Sequence, residues 1–334
     1  MRAVVLVGGV GSRLRPLTYS VPKPMLPVGH QPIIERLIAN LVRGGVTDVT
    51  LALGFKPQPF MDAFPDGTCS GATLHYAVEP EPFDTAGAVR FAADASGIDD
   101  TFVVANGDVL TDVDIAALVT FHRDRDALAT IHLTAVEDPS AFGVVATDAN
   151  GLVEKFVEKP PPGTAPSNFI NAGTYVLDAS VLARIPPATR TSIERETFPA
   201  IAAGRRLYAT ATDDYWIDTG RPDLYLSANL DMLLGLRAHD SCDGVAPGAT
   251  VSASARVHES LVSPGATIGD DSSLVHSVVL AGAVVGAGAS ITGSTVMGRI
   301  GDGATVTGCV IGADGSVADG EVVTAERRPD PDAT

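Results

Sequence analysis

Residues 3–15 read AVVLVGGVGSRLR, an apolar run that passes directly into a glycine-rich turn carrying two arginines. An unbroken run of Ala, Val and Leu is typical of a buried strand in a parallel sheet. The region continues to Lys23, and the first acidic residue of the chain is Glu35. A glycine-rich turn with unopposed cations at the end of a buried strand favours polyphosphate binding, because backbone amides and cationic side chains both attract anionic oxygens.

The composition is that of a folded protein with a full core and an acidic surface. The chain has 334 residues, 45% of them hydrophobic, and a formal net charge of −17. This length is sufficient for two domains. The charge excludes nucleic acid as a partner, since binding it requires a basic face.

Three features of the sequence favour a cytoplasmic location. No apolar run approaches the roughly 20 residues of a membrane helix, and the amino terminus lacks the pattern of a signal peptide. Cys69, Cys242 and Cys309 fit neither a disulfide framework nor a zinc spacing, so we expect reduced thiols. We therefore expect no membrane partner.

The first two thirds of the chain alternate strand and helix patterns. This alternation predicts an α/β fold with a Rossmann-like, mixed or mostly parallel sheet. The predicted strands are 3–7, 46–53, 101–105, 128–136, 143–147, 152–157, 173–177 and 206–212. The predicted helices follow Pro32, Thr85 and Thr111 and cover 192–202 and 222–234.

After about residue 240 the pattern changes to a repeat of six residues. Gly, Ala, Ser, Thr and Val dominate, and aliphatic residues recur six apart, as from Ile268 through Leu274 to Leu280. Hexapeptide repeats predict a left-handed parallel β-helix, with three short strands per turn and the aliphatics stacked inside. The predicted domains are 1–238 (α/β domain), 239–325 (β-helix) and 326–334 (flexible tail).

The turn after the first strand matches neither of the common phosphate-binding motifs. It lacks the Gly-Lys-Ser/Thr ending of a P-loop, and Gly9-x-Gly11 has no third glycine where the dinucleotide fingerprint requires one. A tight strand–helix turn with surface arginines is the structural alternative. The absence of carboxylates beside Arg13, Arg15 and Lys23 favours anion binding, because guanidinium and ammonium groups suit phosphate oxygens.

Two segments of this region together resemble the signature of sugar-1-phosphate nucleotidylyltransferases. They are GGVGSRLRPLT at residues 8–18 and PKPM at residues 22–25. The resemblance extends over the whole chain, including the β-helix, and within the family the chain is most similar to mannose-1-phosphate guanylyltransferases. It implies that GTP and mannose 1-phosphate give GDP-mannose and pyrophosphate. UTP or dTTP with glucose 1-phosphate is the alternative.

The resemblance also implies roles for individual residues. Arg15, Lys23 and Asp108 are implied as catalytic, the two cations by stabilising the transferred phosphate and the leaving pyrophosphate. The implied nucleotide-binding residues are Gly8, Gly9, Gly11, Ser12, Arg13, Thr85, Gly87 and Asn106.

A magnesium site is implied by two aspartates. Asp108 follows the strand 101–105, so it emerges at the carboxyl end of a parallel strand, where such sheets bind ligands. Asp218, in WIDTG at residues 216–220, matches the second metal carboxylate of the family. Carboxylate, phosphate and water oxygens are the ligands of Mg²⁺. Taken alone, either aspartate is equally compatible with a turn or a helix cap.

Five further residues are implied to bind the sugar phosphate. In EKP at residues 158–160, the glutamate accepts hydrogen bonds from sugar hydroxyls and the lysine meets the phosphate. Without the resemblance, such a pair is typical of a solvated strand edge. The implied set is Gly143, Glu158, Lys159, Asn171 and Gly173.

One residue departs from the family pattern. Asp84 precedes Thr85-Ala86-Gly87, where guanylyltransferases place a glycine before the segment that reads the base. Its carboxylate can accept hydrogen bonds from guanine or can cap the helix that follows, and capping is the interpretation we favour. The departure leaves the choice of base open.

Two other functional classes share this architecture. An acyltransferase activity in the β-helix would need a histidine, and His258 and His276 lie there, although surface or packing roles are favoured. A catalytically silent regulator is disfavoured by the intact set Arg15, Lys23, Asp108 and Asp218. We expect the β-helix to assemble subunits, which makes the chain a homo-oligomer.

Overall fold

The computed structural model describes residues 1–54 and 57–332. Within them the chain forms two compact units. Unit 1 comprises Met1–Gly9 and Ile34–Trp216, and unit 2 comprises Val10–Ile33 and the chain from Ile217 onward. The chain therefore leaves unit 1 directly after Gly9. The domain boundaries expected from the sequence stay a prediction.

A mixed sheet of ten strands forms the core of unit 1 in the part of the chain that the structure describes. The strands are β1 Arg2–Leu6, β2 Asp48–Leu53, β3 Thr68–Cys69, β4 Ala72–Val78, β5 Phe102–Asn106, β6 Ala129–Ala135, β7 Gly143–Thr147, β8 Val153–Glu158, β9 Phe169–Leu177 and β10 Leu207–Ala211. Their order is β8-β7-β9-β5-β1-β2-β4-β3, and β6 pairs with β9 and β10.

The centre of this sheet is parallel. Leu6 of β1 pairs with Ala52 of β2 on one side and with Asn106 of β5 on the other. β9 runs antiparallel to both β5 and β6. Val4 and Val5 of β1 are fully buried, as expected for a strand covered on both faces. The predicted α/β fold class with a mixed sheet is confirmed.

In the described part of the chain, the α-helices lie close to the predicted positions, except Gln58–Ala63, which was not predicted. They are α1 Ile33–Arg43, α2 Gln58–Ala63, α3 Asp84–Ala95, α4 Ile115–Asp124, α5 Phe198–Ala203 and α6 Pro222–Leu233. A π-helical turn, Ile193–Thr197, precedes α5, and the Ser192 side chain caps it by accepting a hydrogen bond from the Arg195 amide. Asp114 caps α4 in the same way, through the Ala117 amide at 2.9 Å.

In unit 2, the segment 10–33 is anchored on α6. It contains three short 3-10 helices and two short strands, Ser12–Leu14, Leu17–Tyr19, Lys23–Met25, Pro27–Val28 and Gln31–Pro32. The buried Asn229 side chain accepts a hydrogen bond from the Gly29 amide at 3.0 Å. The Tyr225 hydroxyl donates to the Pro27 carbonyl. Both contacts satisfy buried polar groups that would otherwise destabilise the unit.

The rest of unit 2 is a parallel β-helix with three sheets of five short strands. The first sheet has Thr250–Val251, Thr267–Ile268, Val284–Val285, Arg299–Ile300 and Ser316–Val317. The second has Arg256–His258, Ser273–Val275, Ser290–Thr292, Thr305–Thr307 and Val322–Thr324. The third has Leu261–Val262, Val278–Val279, Thr295–Val296, Val310–Ile311 and Arg327–Arg328. Aliphatic residues stack along the inside in one buried cluster, as the repeat predicts.

The strict six-residue spacing is wrong at the third side of each coil. Leu274 and Val279 follow one another in the stack at an interval of five, and Val279, not Leu280, pairs with Val262 of the coil before. Stacked positions therefore recur after 17 residues, as from Val262 to Val279. The interval is 15 from Val285 to Ile300, because this coil shortens the corner before Ile300.

The last paired strand, Arg327–Arg328, lies within the segment for which the sequence predicts a tail. Arg328 holds Glu321 through two hydrogen bonds of 3.0 and 2.8 Å. The final two residues of that predicted tail, 333–334, lie outside the described part of the chain. In residues 1–54 and 57–332, no helix combines the length and the apolar character that crossing a bilayer requires.

Candidate active site

Asp108 leaves the sheet of unit 1 at the carboxyl end of β5. The residue before it, Gly107, donates its amide to the Leu6 carbonyl at 2.9 Å. A Cβ at Gly107 would lie 2.4 Å from Val7 Cγ1, so only glycine fits this close approach. Asp108 is half-buried there, at the edge where parallel strands bind ligands. This position is the one predicted from the sequence.

Asn106, predicted to bind nucleotide, lies beside two residues predicted to bind sugar. Gly173 has φ +79, and a Cβ on it would lie 2.8 Å from Asn106 Nδ2. Asn171 holds this bend, since its Oδ1 accepts from the Gly173 amide at 3.0 Å and its Nδ2 donates to the Tyr175 hydroxyl at 2.9 Å. The register of β9 against β6 shifts between Asn171 and Tyr175, which turns this part of the strand away from regular pairing.

Glu158 and Gly143 face each other across the hairpin of β7 and β8. A Cβ at Gly143 would meet Glu158 Oε2 at 2.8 Å, so glycine leaves room for the carboxylate. Lys159 Nζ lies 3.8 Å from Glu158 Oε1 and is largely exposed. Burial, followed by the Glu194 carboxylate, raises the pKa of Glu158, and Lys159 partly offsets both. The pair offers an acceptor and a cation at one edge of unit 1.

The segment Thr85–Gly87 is fixed by the loop before the π-helical turn. Thr85 Oγ1 donates to Glu194 Oε2 at 2.8 Å and accepts from the Ile193 amide at 2.8 Å. The Ala86 and Gly87 amides both donate to the Thr191 carbonyl. The start of α3 is thus held in one position, as a segment that reads a ligand requires.

Asp84 adopts a left-handed backbone conformation with φ +62. This region of backbone conformation favours glycine. The Asp84 carboxylate accepts a hydrogen bond from the Thr85 amide at 2.8 Å and lies 3.9 Å from the Arg190 guanidinium. A capping carboxylate accepts from an amide two or three residues further on, and α3 has no such side-chain cap. The capping interpretation favoured from the sequence is therefore wrong.

In unit 2, the glycine-rich turn is closed by Thr18. Gly11 has φ +65, and a Cβ on it would lie 3.0 Å from Thr18 Cγ2 and 3.2 Å from Lys23 Cβ. Thr18 Oγ1 donates to the Gly11 carbonyl at 2.8 Å. Gly11 therefore lets the chain fold back so that Ser12 and Arg13 are exposed while Lys23 is buried.

Lys23, Arg13 and Asp218 form a charged cluster in unit 2. Lys23 Nζ donates to Asp218 Oδ1 at 3.1 Å, and the lysine side chain is 6% exposed. An Arg13 guanidinium nitrogen lies 3.9 Å from Asp218 Oδ2. A Cβ at Gly220 would meet all three side chains within 3.1 Å, so glycine keeps the space between them open. The Gly220 amide also donates to Asp218 Oδ1 at 2.8 Å.

Arg15 and the first two glycines lie outside this cluster. Arg15 is half-buried and stacks its guanidinium over the Tyr19 ring at 5.3 Å from the centroid, a contact that orients the side chain. Gly8 and Gly9 follow β1 and are exposed. Their amides belong to unit 1 at the same sheet edge as Asn106.

The donors present fit a magnesium ion. Asp108 and Asp218 supply carboxylate oxygens, and neither belongs to a group of three close potential metal ligands among the described residues. A magnesium ion takes one or two protein carboxylates and completes its shell with substrate phosphates and water. Both aspartates therefore suit Mg²⁺ better than a metal that needs a full protein cage.

Sequence reasoning missed two groups that the structure places against predicted residues. Glu194 binds Thr85 and raises the pKa of Glu158, and Gly220 lines the Lys23 cluster. Glu194 lies 109 residues from Thr85, and nothing in its local sequence distinguishes it from a solvated helix residue. Gly220 stands two residues after Asp218 in the quoted motif, and this nearness to a predicted site residue could have identified it.

The chain belongs to the nucleotidyl transferase family, which it matches over residues 2–234. It is 40% identical over 261 residues to a mannose-1-phosphate guanylyltransferase of Mycobacterium tuberculosis (strain ATCC 25618 / H37Rv), covering 76% of this chain and 72% of the relative. A mannose-1-phosphate guanyltransferase of Schizosaccharomyces pombe (strain 972 / ATCC 24843) is 40% identical over 243 residues, with 72% and 66% covered. The resemblance seen in the sequence is confirmed.

Solved structures show the same fold. A putative glucose-1-phosphate thymidylyltransferase from Bacillus anthracis, in complex with a sucrose, superposes with a TM-score of 0.62 at 26% identity, covering 69% of this chain and 94% of its own. HddC from Yersinia pseudotuberculosis complexed with GMP-PN gives 0.57 at 28% identity, with 68% and 97% covered.

Proposed function

We propose that this protein transfers a guanylyl group from GTP to mannose 1-phosphate, giving GDP-mannose and pyrophosphate. The observation that carries the reaction class is the acid-free segment from Gly11 to Lys23, in which a buried ammonium and two arginines face no carboxylate of their own segment. Curated relatives at about 40% identity are named for mannose 1-phosphate and guanylyl transfer, and they support the choice of substrates.

The proposed chemistry needs no general base. An oxygen of mannose 1-phosphate forms the new bond to the α-phosphorus, and the bond from that phosphorus to the bridging oxygen breaks. The electron pair leaves with pyrophosphate. Because the attacking phosphate is already anionic, catalysis consists of positioning and charge stabilisation.

Each proposed residue acts through its own contact with a substrate. Arg15 and Lys23 stabilise charge on the α-phosphate and the leaving pyrophosphate, and Arg13 binds the triphosphate. Backbone amides of Gly8, Gly9, Gly11 and Ser12 cradle its oxygens. The remaining nucleotide contacts are assigned to Thr85, Gly87 and Asn106.

The sugar phosphate is assigned to the hairpin and the bend of β9. Glu158 accepts from mannose hydroxyls, and Lys159 attracts the phosphate. Gly143 and Gly173 leave space beside Glu158 and Asn106, so that a ring can approach the backbone, and Asn171 orients the bend.

Enzymes of this family use a divalent metal, and we propose Mg²⁺ held by Asp108 and Asp218. When bound, it neutralises phosphate charge and so lowers the barrier to pyrophosphate departure. Lys23 and Arg13 both contact the Asp218 carboxylate. Chelation by EDTA should abolish turnover, and added MgCl₂ should restore it.

A second candidate is dTTP or UTP with glucose 1-phosphate. The observation in its favour is the structural similarity to a putative glucose-1-phosphate thymidylyltransferase. The sequence relatives argue against it, since identity to the guanylyltransferases is 40% and to that structure 26%.

The test is a grid of GTP, UTP, dTTP and ATP against mannose 1-phosphate and glucose 1-phosphate, scored by pyrophosphate release. We expect the highest kcat/KM for GTP with mannose 1-phosphate. A maximum at dTTP or UTP with glucose 1-phosphate would establish the alternative. If the folded protein released no pyrophosphate from any pair in the presence of Mg²⁺, the result would favour the catalytically silent regulator instead.

Two assignments around the reaction are also proposals. We place the protein in the cytoplasm, where nucleoside triphosphates are made, and the buried thiols of Cys69 and Cys309 fit a reducing compartment. We further propose that the β-helix assembles a homo-oligomer. Sedimentation of the full chain tests this, and a monomer at micromolar concentration would contradict it.

A further inference from the structure

Two histidines and a glutamate meet on the outside of the first two coils of the β-helix. His276 Nε2 lies 2.5 Å from Glu259 Oε2, and the rings of His258 and His276 are 6.0 Å apart between centroids. One potential ligand atom from each of the three side chains lies within 4.8 Å of the other two. In the described part of the chain, this is the one group of three His, Cys, Asp or Glu side chains so close together.

The backbone at this corner follows the pattern of the other coils, but the residue types differ from the glycines of the next two. Equivalent corner residues of the five coils all have positive φ, and they are Glu259, His276, Gly293, Gly308 and Ala325. From the second coil on, each donates its amide to the coil before, as His276 does to the His258 carbonyl. Glycine suits such a conformation, and other residues are strained in it. The first two coils nevertheless carry a glutamate and a histidine there.

We propose that His258, Glu259 and His276 bind a divalent transition-metal ion of the zinc class. Imidazole and carboxylate together are a ligand set that zinc uses, with bonds of about 2.0–2.2 Å. Ligand atoms around such an ion lie closer together than 4.8 Å, and the three side chains are exposed, so small rotations about their side-chain bonds bring them into position. Water completes the shell at the open side.

The ligand chemistry separates this site from the proposed magnesium site. Magnesium binds oxygen ligands and dehydrates reluctantly, whereas imidazole favours Zn²⁺ and its neighbours in the transition series. The ion would join the first coil to the second, because His258 and Glu259 belong to one and His276 to the other. This proposal is independent of the reaction assigned above.

The test is equilibrium dialysis of the full-length protein against ZnCl₂ in the presence of excess MgCl₂. We expect one zinc ion bound per chain, with affinity reduced at least ~10-fold in His276→Gly. Glycine is chosen because it suits the positive φ, so the corner keeps its conformation. Glu259→Gln preserves the shape of the side chain and should also weaken binding. X-ray absorption at the zinc edge should show two imidazole ligands.

His75→Ala is the matched control. His75 also stands beside a carboxylate, with Nε2 3.6 Å from Asp48 Oδ1, and its side chain is 48% exposed against 51% for His276. Among residues 1–54 and 57–332 no third potential ligand joins this pair, so loss of His75 should leave zinc binding unchanged. The proposal is overturned if His276→Gly binds zinc as tightly as the wild type while folded by circular dichroism. Equal loss in His75→Ala would overturn it as well.

Discussion

The region of residues 1–238 and the coils of residues 245–328 are both built on buried aliphatic strands, but their irregular positions are distributed differently. In the coils, positive φ values recur at equivalent corners of successive turns, as from Glu259 to Ala325. In the first region they are scattered, and Asp84, Lys159 and Gly173 all lie in segments assigned to substrates. Positive φ at equivalent corners is thus part of the coil scaffold, whereas in the first region it occurs both inside the candidate site and outside it, as at Ser70 and Asp126.

The residue types at these corners differ from coil to coil. Glycine stands at the third and fourth corners and Ala325 at the fifth, whereas the first two corners are Glu259 and His276. They are also the residues whose side chains converge with His258. Two of the three corners without glycine therefore lie where three potential ligand atoms come within 4.8 Å of one another.

The largest effect is expected for Lys23→Ala. Its ammonium is buried beside Asp218, and removing one preorganised charge from such a site lowers turnover by ~10³-fold. Pyrophosphate release with GTP and mannose 1-phosphate measures this. Lys155→Ala, which removes an exposed lysine of β8, should retain the wild-type rate. A loss in both variants would mean that general charge, not the site, is responsible.

The next effect is expected for Ile291→Ala in the coils. Ile291 is fully buried between Leu274 and Val306 of the neighbouring coils, so truncation should lower the free energy of unfolding by roughly 3 kcal/mol. Because coils contact mainly their neighbours, kcat and KM below the unfolding temperature should not change. Thermal unfolding and steady-state kinetics of the same sample test both statements. A changed kcat would show that the coils act on catalysis.

Acid should destabilise the first region before the coils. Burial lowers the pKa of His122 and His132 to about 4, while both histidines of the coils are exposed. The unfolded chain binds these protons near pH 6.5 and the folded chain only near pH 4, so stability is complete above pH 6.5 and is lost as the pH falls through this window.

Between pH 6.5 and pH 4, His132→Leu should lose roughly 2 kcal/mol less of its free energy of unfolding than the wild type does. Its Nδ1 has no hydrogen-bond partner and its Nε2 binds only Thr212 Oγ1, so an apolar side chain is tolerated. Fluorescence of Trp216, the single tryptophan, follows the first region during urea unfolding at several pH values. The same pH dependence in variant and wild type would contradict the assignment.

The smallest effect is expected for Asp84→Gly. Glycine at φ +62 relieves backbone strain of about 1 kcal/mol, partly offset by loss of the hydrogen bond to Thr85. Ala325→Gly, at φ +55 in the coils, is the control for strain alone. The ratio of kcat/KM for GTP to that for UTP should stay unchanged in both. A change confined to Asp84→Gly would show that this carboxylate reads the base.

Local patterns sufficed to predict most strands, most helices and the position of Asp108, but they missed the sheet strands Thr68–Cys69 and Ala72–Val78. They depend on periodicity and on strand ends, which are properties of neighbouring residues. Lys23 and Asp218 are 195 residues apart, and the sequence assigned them separate roles without predicting their ion pair. Glu194 was missed, because a long-range contact leaves no trace in the sequence around either partner.

The coil period shows a different limit. The interval of six is correct on two sides and wrong on the third, where Val279 rather than Leu280 enters the stack. Both residues are buried and aliphatic, so hydropathy alone does not distinguish them. The choice is made by the pairing of Val262 with Val279, a contact between coils.

The short coil between Val285 and Ile300 indicates how such a scaffold changes over time. Two residues fewer than in its neighbours leave the pairing intact on both sides, since Ile300 still pairs with Val285 before it and Val317 after it. The strands of each coil are aligned by pairing with the strands of the coil before it. A deletion at a corner therefore changes only that corner, and the strands of the later coils keep their pairing.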